Sequence, residues 1–195
     1  MLRGAVIGLG NVAVNGHLPA WLGRTDGRIV AAADTDENRR ACLEGPLAGV
    51  TWYPDVAAML GREKLDFVDI CTPPAMHAGA VRLALAANLH VLCEKPLATS
   101  IADMRSIAHL ARERGRALHT VHNWLHAAPL RAISAAIAAG EIGGVRHVHW
   151  RTLRTRPAAT AVDARNWRID PLIAGGGILH DHGWHALYCV ARWMG

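Results

Sequence analysis

Leu2-Arg3-Gly4-Ala5-Val6-Ile7-Gly8-Leu9-Gly10-Asn11-Val12-Ala13 runs from an apolar stretch into glycines and then into helix-forming sequence toward Trp21. An apolar run of this length that stops at turn residues reads as a buried strand. Gly8-x-Gly10-x-x-Ala13, placed between a strand and a helix, has the spacing of a dinucleotide phosphate turn. The first glycine makes the tight turn, the second lets backbone approach a pyrophosphate, and the small third residue permits close helix–strand packing. The start of the helix, at Asn11 and Val12, would face the phosphates with its backbone N–H groups. Arg28–Asp34 reads as the next strand, and it ends in an acid at the distance expected of a ribose-binding carboxylate. Asp34 favours NAD over NADP, because it would repel a 2′-phosphate; Arg39 and Arg40 follow closely and moderate that preference.

The alternation continues. Val50–Tyr53, Phe67–Cys71, Leu89–Pro96 and Ala117–Val121 read as strands. Between them, Asp36–Leu43, a segment capped by Asp55 that runs to Leu60, Ala75–Ala87 and Ile101–Arg114 read as helical. Ser100 is placed to cap the last of these, and Gly115 to end it. Strand and helix in turn predict a parallel, doubly wound α/β sheet over residues 1–122. Leu89-His90-Val91-Leu92-Cys93-Glu94-Lys95-Pro96 is the most informative of the later strands. It carries a charged pair at its carboxyl end, where open α/β sheets bind ligands. Of 21 basic residues only Lys64 and Lys95 are lysines. Lysine can trade a proton where arginine cannot. Thr72-Pro73-Pro74 closes the fourth strand at the same edge and would border a bound nicotinamide.

From residue 123 onward the pattern changes, and residues 123–195 are expected to form a partial α+β substrate domain. Leu130–Ala139 reads as a helix stopped by Gly140. Val145–Thr155 alternates Val148, Trp150 and Thr152 with His147, His149 and Arg151, which predicts a strand. Arg156–Ile173 has no clear period. Gly175-Gly176-Gly177 opens a final helix, Ile178–Trp193, on which Asp181 and His185 lie four residues apart and share a face. A histidine beside a carboxylate suits acid–base work near neutral pH. His180 and His182 point apart on a helix, so no metal site is expected.

Composition excludes several classes. The chain is 51% hydrophobic with a net charge of +5, and its arginines are scattered, without the aromatic-interleaved basic stripe of a nucleic-acid surface. Cys42, Cys71, Cys93 and Cys189 lack metal spacing, and three lie in apolar segments, which suggests reduced thiols and a cytoplasmic protein. The N-terminus does not read as a signal peptide, and no segment is long and apolar enough to span a membrane.

The glycine turn, Thr-Pro-Pro, Glu-Lys-Pro and Gly-Gly-Gly-x-x-x-Asp-x-Gly-x-His occur together and in this order. Smaller matches agree: His17-Leu18-Pro19, Gly140-Glu-Ile-Gly143 and Asn166-Trp167-Arg168. In this the chain resembles the Gfo/Idh/MocA oxidoreductases over essentially its whole length. The resemblance implies a Rossmann-type nucleotide domain, an NAD(P) cofactor, and a sugar, polyol or related substrate handled by a homo-oligomer. It implies that Lys95, Asp181 and His185 are catalytic. His185 would serve as base, Lys95 would polarise the reacting oxygen, and Asp181 would bind substrate and tune the histidine. Expected cofactor contacts are Gly8, Gly10, Asn11, Val12, Asp34, Thr72, Pro73, His77, Glu94 and Lys95. Two departures are visible. Asn123-Trp124-Leu125-His126 stands before Pro129, where the family usually shows an Arg–aromatic pair, and the chain is shorter than family members. The alternatives are a catalytically impaired, shortened nucleotide-binding relative and an NAD-using lyase or glycosidase.

Overall fold

The structure is a computed structural model that describes residues 1–153 and 167–195. The chain divides into two compact units, Met1–Val121 and His122–Gly195. The first is a six-stranded sheet built from β1 (Leu2–Ile7), β2 (Gly27–Ala33), β3 (Thr51–Tyr53), β4 (Phe67–Ile70), β5 (His90–Cys93) and β6 (Leu118–Thr120). The strand order is 3-2-1-4-5-6. Every pairing is parallel. The order reverses between β1 and β4. In a sheet of this kind that reversal opens a crevice at the carboxyl ends of the strands.

Both faces of the sheet are covered, as a parallel sheet requires. Ala5, Ile7, Val68, Ile70, Val91 and Cys93 pack with Val81 and Leu85 of α3 (Pro74–Ala86) and Ile107 of α4 (Ile101–Glu113). On the other face, Val6 and Ala32 pack with Leu9, Ala13 and Leu18. The helix ends follow the sequence signals. Asp55 accepts from Ala58 N–H at the start of α2 (Val56–Leu60), and Ser100 accepts from Asp103 N–H at the start of α4. The segment after β2 forms a 3-10 helix over Glu37–Leu43, capped by Asp36.

In the second unit, α5 (Ala128–Ala138) leads through Gly140 at φ +73° into irregular chain. Further on come α6 (Pro171–Ala174), ended by Gly175 in the left-handed region, and α7 (Ile178–Met194). The expected strand Val145–Thr155 is not seen. Residues 145–153 are irregular, and Arg154 and Thr155 lie outside the described residues, as does Asn166. The alternation survives in burial, with Val148 and Trp150 half-buried between exposed neighbours. A strand, however, needs a ladder for its N–H and C=O groups, and no described segment pairs with this one. Among its described residues this unit consists of helices and irregular chain.

Gly4 shows how tightly the central strands are built. A Cβ there would lie 2.1 Å from the ring of Phe67, which stacks on Trp21 at 4.7 Å. Gly4→Ala should therefore push the Phe67 ring off Trp21. We expect a loss of about 1–3 kcal/mol, read as a lower urea midpoint with an unchanged slope.

Candidate active site

The glycine turn sits where β1 meets its helix. Gly8 has φ +89°, and a Cβ there would meet the Thr72 backbone nitrogen at 2.9 Å, so no larger residue fits. Asn11 and Val12 open the helix, Ala13–His17 continue it as a π-helical segment, and α1 (Leu18–Leu22) completes it. Val14 N–H bonds to Gly10 O. The N–H groups of the preceding turn therefore have no acceptor within the helix and are disposed to meet an anion. Asp34 stands at the end of β2, with its side chain 7% exposed. Its carboxylate accepts from Leu9 N–H at 2.7 Å and Asp36 N–H at 2.9 Å, and Arg39 lies 3.4 Å away. Thr72 follows β4, and its Oγ1 is buried with no hydrogen-bond partner among the described residues.

Behind this edge lies a charged cluster. Asp69, in the middle of β4, is fully buried. Its carboxylate accepts from Trp21 Nε1–H at 2.7 Å, from His17 Nδ1–H at 2.8 Å and from the Cys71 thiol at 3.7 Å. His17 Nε2 reaches Glu94 Oε1 at 3.0 Å, and Glu94 Oε2 accepts the Lys95 N–H at 3.1 Å. Burial pushes the His17 pKa down, but the bonds to Asp69, Cys71 and Glu94 outweigh it and hold the value up at about 12. Burial pushes Glu94 up, and here too His17 prevails, so its pKa lies below the ordinary carboxylate value. The ligand atoms of His17, Asp69 and Cys71 lie within 4.8 Å of one another. The Cys71 thiol, raised by burial to about 12, is a poor source of thiolate, and the two hydrogen-bonded nitrogens of His17 carry protons rather than lone pairs. A hydrogen-bonded cluster accounts for the grouping without a metal.

Sequence reasoning placed Glu94 at this edge but missed Asp69 as a functional residue and met His17 only as a motif match. The available signal was the lone acid in Phe67-Val68-Asp69-Ile70-Cys71. A charge inside a buried strand demands a partner. His77 is a correction. It was expected to contact cofactor, but it is fully buried, with Nδ1 2.6 Å from Pro96 O and Nε2 2.8 Å from Thr72 O. Both ring nitrogens lie against backbone carbonyls and the protonated one donates, so His77 sits between the loop after β4 and the Glu-Lys-Pro turn. Burial pushes its pKa down against the pull of those carbonyls.

In the second unit α7 carries the other expected residues. Asp181 lies in its first turn, where the helix dipole favours an anion, with Arg168 Nε at 3.7 Å and His182 Nε2 at 3.5 Å. His185, one turn on, is buried and stacks face to face on Trp124 with ring centroids 4.7 Å apart. Trp124 continues into a row with Trp150 at 5.8 Å and, beyond it, Trp193 at 6.2 Å. Trp124 thus packs directly on an expected site residue, a contact that its sequence position alone did not reveal.

The first unit fits a dinucleotide by its own features. A turn admits only glycine, a helix start lies next to it, a carboxylate is held at the end of β2, and the buried Thr72 Oγ1 lacks a partner among the described residues. Fold and edge together define a dinucleotide-binding α/β protein. Comparison with known proteins carries this further. Residues 2–122 match the model of the "Oxidoreductase family, NAD-binding Rossmann fold", and residues 130–195 match the "GFO/IDH/MocA C-terminal domain". The chain belongs to the Gfo/Idh/MocA oxidoreductase family.

Among its relatives is a dTDP-3,4-didehydro-2,6-dideoxy-alpha-D-glucose 3-reductase of Streptomyces violaceoruber, 34% identical over 100% of this chain and 55% of the relative. A D-apiose dehydrogenase of Paraburkholderia graminis is 36% identical over 72% of this chain and 37% of the relative. A 3-ketoreductase from Actinomadura kijaniata, crystallised with NADP and TDP-benzene, superposes with a TM-score of 0.82 at 27% identity, covering 100% of this chain and 57% of that one. The WlbA dehydrogenase from Bordetella pertussis, solved with NADH and UDP-GlcNAcA, gives a TM-score of 0.68 at 26% identity, covering 73% of this chain and 43% of that one. The chain spans about half the length of the curated relatives it matches. Among the described residues no helix is long and apolar enough to cross a membrane.

The cluster has a pH signature. A histidine whose pKa is raised in the folded state contributes fully below its unfolded value, near 6.5, and loses that contribution as pH climbs toward about 12. Wild-type stability, read from urea unfolding, should therefore fall between pH 7 and pH 10, by up to about 1.4 kcal/mol per pH unit. His17→Gln, less stable at neutral pH, should show a flatter profile over that window. Parallel profiles would contradict the assignment.

Proposed function

We propose that this chain serves an NAD-dependent oxidoreductase that interconverts a hydroxyl and a carbonyl on a sugar, polyol or related small molecule. The observation that carries the reading is the convergence of Gly8, Asp34, Thr72 and the Glu94–Lys95 pair on one carboxyl edge at the point where strand order reverses. The names of the relatives, sugar dehydrogenases and reductases, support the substrate class. A bound dinucleotide supplies a two-electron hydride acceptor or donor at its nicotinamide ring. Gly8, Gly10 and the N–H groups of Asn11 and Val12 would hold its pyrophosphate, Asp34 its adenosine ribose, and Thr72 and Pro73 would flank the nicotinamide. Lys95 donates a hydrogen bond from Nζ to the substrate oxygen. His185 takes the hydroxyl proton on an imidazole nitrogen as the carbonyl forms and returns it in the reverse direction. Asp181 orients substrate and stabilises the imidazolium, one helical turn away. Trp124 holds the imidazole by its face. Groups so positioned each contribute roughly 10²–10⁴ in rate.

The preference for NAD rests on Asp34, whose carboxylate occupies the ribose end of the edge. The tests use fluorescence titration of NADH and NADPH and a panel of aldoses, polyols and nucleotide sugars. NADH should bind more tightly than NADPH, and Asp34→Ala should narrow the gap. Equal binding by the parent would show that Arg39 neutralises the acid. On a substrate the parent turns over, Lys95→Met and His185→Ala should abolish turnover and keep NADH affinity within a few-fold. Loss of nucleotide binding in either variant would contradict these roles.

A further inference from the structure

We infer that His17 is a positioning residue for this reaction: wedged between Asp69 and Glu94, it fixes the carboxylate that holds the Lys95 N–H and so aims the lysine side chain. This rests on the oxidoreductase reading, in which Lys95 meets the reacting oxygen.

The proton inventory comes first. Ionised carboxylates only accept hydrogen bonds. Nδ1 lies 2.8 Å from Asp69 and Nε2 lies 3.0 Å from Glu94, so both ring nitrogens must donate and the ring is an imidazolium. Next comes the path. Asp69 sits at the centre of the sheet, tied to α1 through Trp21 and to the π-helical segment through His17. Glu94 N–H bonds to Ile70 O at 2.9 Å, and Glu94 Oε2 accepts from Lys95 N–H. A continuous run of bonds thus leads from a buried strand to the backbone of the lysine. Stability alone does not account for it. Well-packed apolar residues in place of a buried ion pair are often as stable or more so, whereas an imidazolium held between two carboxylates fixes a geometry. The π-helical segment agrees, since the extra residue in that turn is what sets His17 at its end, and such segments concentrate at functional sites.

The test exploits the two lysines. Lys64 is exposed and serves as an internal reference, and Lys95 is half-buried. The full chain, without nucleotide, is labelled with trace acetic anhydride at neutral pH, and mass spectrometry reads the Lys95-to-Lys64 labelling ratio. The ratio should rise several-fold in His17→Gln and in Glu94→Gln, because either change releases the turn. Trp21→Phe removes a donor from Asp69 but leaves the His17–Glu94 bond, so it should lower the melting temperature and keep the wild-type ratio. On a sugar that the parent turns over, His17→Gln should lower kcat by about 10²-fold, the cost of a misplaced group, with NADH affinity retained. A wild-type ratio in folded Glu94→Gln or folded His17→Gln would overturn the inference, as would a matching rise in Trp21→Phe. If the parent fails to bind NADH, the oxidoreductase reading falls, while the nucleotide-free ratio still decides the coupling on its own.

Discussion

Asp69 has no contact with solvent, and a carboxylate in that position costs several kcal/mol unless something pays for its lost water. The imidazolium of His17 does so, and the rest of the nucleotide unit is arranged around that bond. It joins β4 to the first helix, and through Glu94 it joins both to the end of β5. The first helix and β4 flank the place where strand order reverses and β5 is the next strand out, so the bond that satisfies a buried charge also ties together the crevice edge. His77 also lies between two acceptors, the backbone carbonyls of Pro96 and Thr72, but as a buried ring whose pKa is pushed down and not as an imidazolium. Between them the two histidines leave the Thr-Pro-Pro and Glu-Lys-Pro turns little freedom.

The two units carry different parts of the proposed chemistry. The sheet unit supplies an anion site at a helix start, an acid at the end of β2 and an amine at the end of β5. The helical unit supplies an acid and a histidine one turn apart on α7, backed by a row of tryptophans.

Much of the sheet unit was legible in the sequence because its signals are local. Glycines at fixed offsets, an acid at a strand end and caps at Asp55 and Ser100 each act within a few residues, and the fold places them accordingly. Three things were not legible. The partner of Asp69 comes from a helix 52 residues away in sequence, and nothing in the spacing of His17 shows that a π-helical turn will carry it there. His77 looked like a ligand contact because it follows a strand-end motif, yet its helix turns it inward to the backbone. Val145–Thr155 has the alternation of a strand, but periodicity describes a half-buried face and does not provide the neighbouring strand that makes a ladder.

Hydrogen–deuterium exchange of the full chain with and without NADH tests the central claim most directly. Saturable protection is expected and should be confined, within the first unit, to the carboxyl edge: the turn at Gly8–Val12, the end of β2 at Asp34, Thr72–Pro74 and the Glu94–Lys95 turn. Unchanged exchange at the glycine turn under saturating NADH, or protection centred on the amino ends of the strands, would contradict it.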